Sequence, residues 1–104
     1  MASDLEYVRF VCGQLEGTGD VRYRKMFGEY LIYVDDKPMV IICDNRAFVK
    51  IHPALEDLMD SADIDLPYPD AKPHYILNAQ DRALCRAIVS RLLPVTQVPK
   101  KKKR

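Results

Sequence analysis

The residues able to do chemistry are few, and their spacing keeps them apart. Histidine occurs twice, as His52 and His74. Neither has a second His, a Cys or a carboxylate at the spacing a metal site or a catalytic pair requires, so both read as structural or surface histidines. Cysteine occurs three times, at Cys12, Cys43 and Cys85, with no Cys-x-x-Cys pair. Each lies in an apolar segment with no neighbouring base to lower its pKa, so all three are expected to be buried thiols acting as small hydrophobes. Asp57, Asp60, Asp63 and Asp65 cluster in sequence. The stretch lacks the central glycine and closing glutamate of a calcium loop and reads as a solvated acidic segment. The four glycines form no phosphate-binding loop. These patterns predict no enzyme, no catalytic residue, no metal and no cofactor.

Two basic features stand out. Arg22-Tyr23-Arg24-Lys25 sets three cations around an aromatic ring, the mixture that holds single-stranded nucleic acid. On a strand, however, Arg22 and Arg24 share one face and Tyr23 and Lys25 the other, which splits the cluster. Lys100, Lys101, Lys102, Lys103 and Arg104 form a pure charge run, able to add salt-sensitive attraction to phosphates. That run hides an asymmetry. The net charge of +1 includes these 5 of 16 basic groups; the remaining 11 face 15 acidic groups, a net of −4. A mildly acidic body with a basic end differs from a dedicated nucleic-acid binder, whose cations cover a folded face.

The elements that must position these residues follow from periodicity. At 104 residues, 48% apolar and 30% charged, the chain suits one globular domain with an ordinary core. The longest apolar run is 39–43, too short for a membrane span, and the acidic start lacks the features of a signal peptide. With unpaired cysteines, this predicts a soluble protein of the reducing cytoplasm. Ser3-Asp4-Leu5-Glu6 has the form of a capping box, and Leu5, Val8, Val11, Cys12 and Leu15 recur at helical spacing up to Gly17 and Gly19. Strands are predicted over 21–26, 29–34, 39–43 and 46–51, joined by the short turns at Gly28, at 35–38 and at Asp44-Asn45. Pro53 opens a short helix to about Met59, and 61–72 reads as a loop. A short fifth strand over 73–77 is expected at a sheet edge, because of its proline. Asn78 is expected to cap a last helix with Asp81 in its first turn; Leu84, Cys85, Ile88, Val89 and Leu92 form its apolar stripe, ended by Pro94. The predicted fold is therefore α+β in two layers. An antiparallel meander of four to five strands carries the N-terminal and C-terminal helices on one face. Residues 1–94 form the domain, and 95–104 a disordered basic tail.

Two principal helices cover only one side of such a sheet, yet both sides carry apolar residues. Leu31, Tyr33, Val40, Ile42 and Phe48 are the candidate second face, exposed as an interaction surface unless the 61–72 loop folds over it.

Three blocks carry a family resemblance: Arg24-Lys25-Met26-Phe27-Gly28-Glu29-Tyr30 with Ile32-Tyr33 beyond it, Ile42-Cys43-Asp44-Asn45-Arg46-Ala47-Phe48-Val49-Lys50, and Pro67-Tyr68-Pro69-Asp70-Ala71-Lys72-Pro73. On these blocks the chain resembles the N-terminal domain of the TfoX/Sxy family, named for bacterial regulators of competence for DNA uptake. The resemblance implies a compact α+β fold and no established enzymatic activity. The competence regulators carry a second, C-terminal domain, and this chain is expected to be a stand-alone version without it. Lys25, Tyr30, Lys50 and Lys72 match motif positions of the family.

Three functions are consistent with these features. The first is a regulatory or protein-interaction module, with a protein partner or a homodimer meeting the second sheet face. The second is a nucleic-acid-binding accessory protein using Arg22, Arg24, Lys25 and the basic tail. The third is a small-molecule site at Lys25, Tyr30, Lys50 and Lys72.

Overall fold

The computed structural model describes residues 4–26 and 29–98. Helix α1 spans Leu5–Gln14, strands β1 to β4 span Val21–Met26, Glu29–Val34, Lys37–Cys43 and Arg46–Lys50, and a 3-10 turn covers Pro53–Leu55. Strands β5 (Ile64–Asp65) and β6 (His74–Leu77) follow, then helix α2 (Arg82–Leu92) and a second 3-10 turn, Leu93–Val95. The six strands form one antiparallel sheet in the order β1-β2-β3-β4-β6-β5. The α+β architecture is as expected, with one strand more. Among the described residues no helix is long and apolar enough to cross a membrane.

The meander follows from its turns. Asp35 and Asp36 have φ of 53° and 65°, and Asp44 and Asn45 have 56° and 57°. Two consecutive left-handed residues make a type I′ turn, whose twist matches the strands it joins, and Asp and Asn tolerate that conformation better than other side chains. Between the two turns the β2–β3 register shifts: Ile32 pairs with Val40 but Tyr33 with Pro38, leaving Met39 as a bulge. The bulge also admits Pro38, which could not donate to a regular ladder.

Three local expectations are corrected. The strand near Pro73 is not at an edge: β6 lies between β4 and β5, because residues 64–65 of the supposed loop form the outer strand. Asp81, not Asn78, caps α2, its carboxylate accepting from Leu84 N–H at 3.0 Å, while Asn78 closes a local turn onto Gln80 N–H. Asp4 stands at the N-cap of α1, one residue after the expected Ser3, which lies outside the described residues. Asp4 makes no side-chain cap; its N–H donates to Asn45 Oδ1 at 2.8 Å, tying the helix start to the β3–β4 turn.

The main core fills the space between sheet and helices. Val8 and Val11 of α1 and Leu15 just beyond it, with Cys85, Ile88, Val89 and Leu92 of α2, cover Ile32, Val34, Val40, Ile42, Val49 and Leu77. Polar ties pin its rim: Gln14 Nε2 donates to Ala79 O at 2.9 Å, Arg86 donates to Glu16 O, and Lys37 Nζ donates to Leu93 O at 2.8 Å. Past Pro94, the 3-10 turn ends at Val95 and Thr96 is buried. The basic tail Lys100–Arg104 lies outside the described residues.

Arg91 grips Asp57 with two hydrogen bonds of 2.8 and 3.0 Å, holding the 53–60 segment against α2. The guanidinium's hydrogen bond keeps the Asp57 carboxyl below its usual 3.8. A depressed folded-state pKa adds stability that is present above the unfolded value and lost as pH falls through the folded one. Asp57→Asn is therefore expected to lower the melting temperature slightly at pH 7 and to leave it unchanged at pH 2. The drop is small because the pair is exposed and screened. Thermal melts of both proteins at the two pH values check this.

Candidate protein-interaction face

The side of the sheet turned away from the helices is built by register. Cα partners place Arg24 opposite Leu31, Leu31 opposite Ile41, Ile41 opposite Phe48, and Phe48 opposite Ile76. The β5–β6 pairing continues one residue beyond Asp65↔His74 and Ile64↔Tyr75, since Ile76 N–H donates to Asp63 O at 2.8 Å. Residues directly opposite in an antiparallel ladder share a face. One row therefore crosses the whole sheet: Arg24, Leu31, Ile41, Phe48, Ile76, Asp63. It begins with a cation, runs through four apolar side chains and ends with an anion.

A second row lies beside it, with Arg22 and Tyr33 on β1 and β2 and Lys50, His74 and Asp65 on the far strands. Leu31, Tyr33, Ile41, Cys43 and Ile76 are half-buried, as expected for side chains on a sheet with flanking neighbours but no covering helix. Phe48 differs. It is 0% exposed, although it lies outside the helix-side core. The Arg46 guanidinium sits 5.0 Å from its ring centroid and pairs with Asp65 at 3.0 Å, laying a cation across the ring.

This geometry corrects the expected face. Leu31, Tyr33 and Phe48 do lie on it, but Val40 and Ile42 do not. They are 1% and 0% exposed and pair with Ile32 and Tyr30 on the helix side. A regular two-residue turn would have set Leu31 opposite Val40; the bulge at Met39 advances β3 by one residue and exchanges its faces. Ile41 and Cys43 take the places of Val40 and Ile42. The Asp44-Asn45 turn, which sets Ile41 opposite Phe48, is the signal that could have found Ile41.

The basic candidates are not brought together. Arg22 and Arg24 lie on this face at the β1 edge, where Arg22 also pairs with Asp20 at 3.0 Å. Lys25 and Tyr30 are partners on the opposite side, where Tyr23 meets Tyr30 edge-on at 5.9 Å. Lys50 is on the second face, three strands from β1, and Lys72 is in the exposed loop before β6. The four motif residues Lys25, Tyr30, Lys50 and Lys72 thus form no single site.

The other chemistry-bearing groups hold structure. His52 Nδ1 accepts from Ala54 N–H at 3.0 Å and caps the first 3-10 turn. His74 Nδ1 donates to Lys72 O at 2.7 Å. Only Cys85 is fully buried; Cys12 and Cys43 are half-buried, short of the burial expected for all three. Burial pushes the Cys85 thiol up to about 11 and raises the other two, Cys43 with help from the Glu29 carboxylate it donates to at 3.5 Å. Raised pKa values leave little thiolate to react. Among the described residues no three His, Cys, Asp or Glu side chains converge as a metal site. Two open clefts of about 400 and 480 Å³ flank Leu77 and Asn78; apolar groups such as Met59 and Leu84 line one, and Tyr7 and Phe10 the other.

Comparison with known proteins bears on this arrangement. The sequence pattern of the TfoX N-terminal domain matches residues 13–85. The chain belongs to the TfoX N-terminal domain family. Within that match lie all six strands, and so both rows of the second face. The chain is also similar to an uncharacterized 12.7 kDa protein in the trpE 5′ region of Spirochaeta aurantia, 40% identical over 76 residues. The aligned stretch covers 73% of this chain and spans 66% of that relative's own length.

Proposed function

We propose that this TfoX N-terminal domain is a non-enzymatic regulatory module of the cytoplasm that binds protein through the sheet face opposite its helices. The row from Arg24 to Asp63 carries the reading. It offers apolar side chains at the centre and charges at the rim, the anatomy of a protein interface. The charges on the face are of both signs: Arg22, Arg24, Arg46 and Lys50 share it with Glu29, Asp63 and Asp65. A polyanion such as DNA or RNA would meet those carboxylates, which favours a protein partner over nucleic acid. Raised thiol pKa values and histidines engaged in local backbone hydrogen bonds support a non-catalytic role.

The test is photo-crosslinking in living cells with a benzophenone side chain at position 33 or 41, and at exposed Arg82 on α2 as control. Discrete adducts from 33 and 41 that resist nuclease, with none from 82, are expected. Nuclease-sensitive adducts would favour the nucleic-acid reading, and equal labelling from all three sites would remove the face from consideration.

A further inference from the structure

The row that crosses the second face reads as its own complement. In order it is cation, Leu31, Ile41, Phe48, Ile76, anion; reversed, it sets anion against cation and apolar against apolar. The geometry points to a second copy of this chain as the occupant of the face. The two sheets pack face to face about a two-fold axis that runs along the strands, between β3 and β4.

This inference rests on the protein-interaction reading and names the partner. A two-fold along the strands turns one sheet over and reverses its strand order, so β1 of one copy lies over β5 of the other. Arg24 then meets Asp63 of the second copy, and Asp63 meets its Arg24. Leu31 lies over Ile76 in both directions, and Ile41 lies over the Arg46 guanidinium that covers the Phe48 ring, itself 0% exposed. In the second row Arg22 lies over Asp65, but each is already paired within its own chain, with Asp20 and Arg46, so the first row carries the charge match. The alternative two-fold, across the strands, would stack β1 on β1 and set Arg22 and Arg24 against themselves. The charge pattern selects the first axis. Such a contact is isologous and closes at two copies, and aligned packing of twisted sheets is a common way to bury two apolar faces.

Among the described residues neither Arg24 nor Asp63 takes part in an ion pair, so both are available. Size sets the strength. Five inter-strand steps of about 4.8 Å make the row about 24 Å wide, and five residues of strand run about 17 Å, roughly 400 Å² per copy. That is about half the area of a standard interface. The dimer is therefore weak, formed at high micromolar concentration and sensitive to salt.

Sedimentation equilibrium of the full chain from 10 µM to 1 mM (order-of-magnitude limits chosen to bracket such an affinity) tests this, with Arg24→Asp, Asp63→Arg and the double variant beside it. The wild type is expected to pass from monomer to dimer and stop there. Each single variant places like charges opposite each other and lowers the association constant about tenfold. The double variant restores the opposite signs and recovers most of the loss. Both positions are exposed, and circular dichroism confirms that each variant is folded. A wild type that stays monomeric throughout, species larger than a dimer, or a double variant no better than the singles would each overturn the proposal. A strict monomer that still crosslinks through position 33 to a different protein overturns the self-pairing and leaves the interaction reading standing.

Discussion

Phe48→Ala is expected to destabilise the domain by about 3–5 kcal/mol, the usual cost of removing a buried aromatic ring. The size of the effect is informative because of where the ring lies. Phe48 sits on the face without helices, where a side chain would ordinarily be half-solvated and its truncation would cost little. Here it is 0% exposed, between Ile41 and Ile76 in its row and beneath the Arg46 guanidinium. The substitution empties that site and leaves Arg46 with no ring to cover. A domain of this length has about 5–15 kcal/mol of total stability, so the loss is a large share of it. Urea denaturation of the two proteins measures the difference. A loss under 1 kcal/mol would mean that the ring is exposed in solution and that the second face has no core of its own.

The second large effect separates two neighbouring isoleucines. Ile42→Asp places a carboxylate at a position 0% exposed among Tyr30, Ala47 and the helices, and is expected to leave the chain unfolded at 25 °C. Burying an unpaired charge is among the few single changes that exceed about 4–5 kcal/mol. Ile41→Asp, one residue earlier, points to the opposite face, where its side chain reaches water. It is expected to fold and to cost about 1 kcal/mol, near the average for a point substitution. Circular dichroism and urea titration of both variants decide the matter. If Ile41→Asp unfolds and Ile42→Asp does not, β3 is in the unbulged register and the faces are exchanged.

That pair also shows why the candidate face was only partly legible. Strand identity was written plainly: alternation in β2 and β4, two-residue turns of Asp and Asn, and the capped apolar stripe of α2 are local signals. Residues 21–26 and 29–34 were located to the residue because each is bounded by turn chemistry. Such alternation is enough to put Leu31, Tyr33 and Phe48 on the second face. Val40 and Ile42 lie on the other face, which alternation does not reveal: it defines two faces of a strand without saying which one joins which face of its neighbour. A bulge changes that choice by one residue and leaves no mark in composition. Strand β5 escaped for a similar reason, since two residues are too few to show a period.

Sequence alone determined the class of the fold, the meander, the helix stripe and the family, all of which depend on residues close in the chain. Tertiary structure decided which side chains share a surface. Arg24 and Asp63 stand at opposite ends of one row because five strand pairings, each with its own register, connect them. The Arg46–Asp65 pair across Phe48 depends on β6 lying between β4 and β5. Local propensity acts over a few residues, whereas a surface is assembled from segments far apart in sequence and fixed by packing and register together.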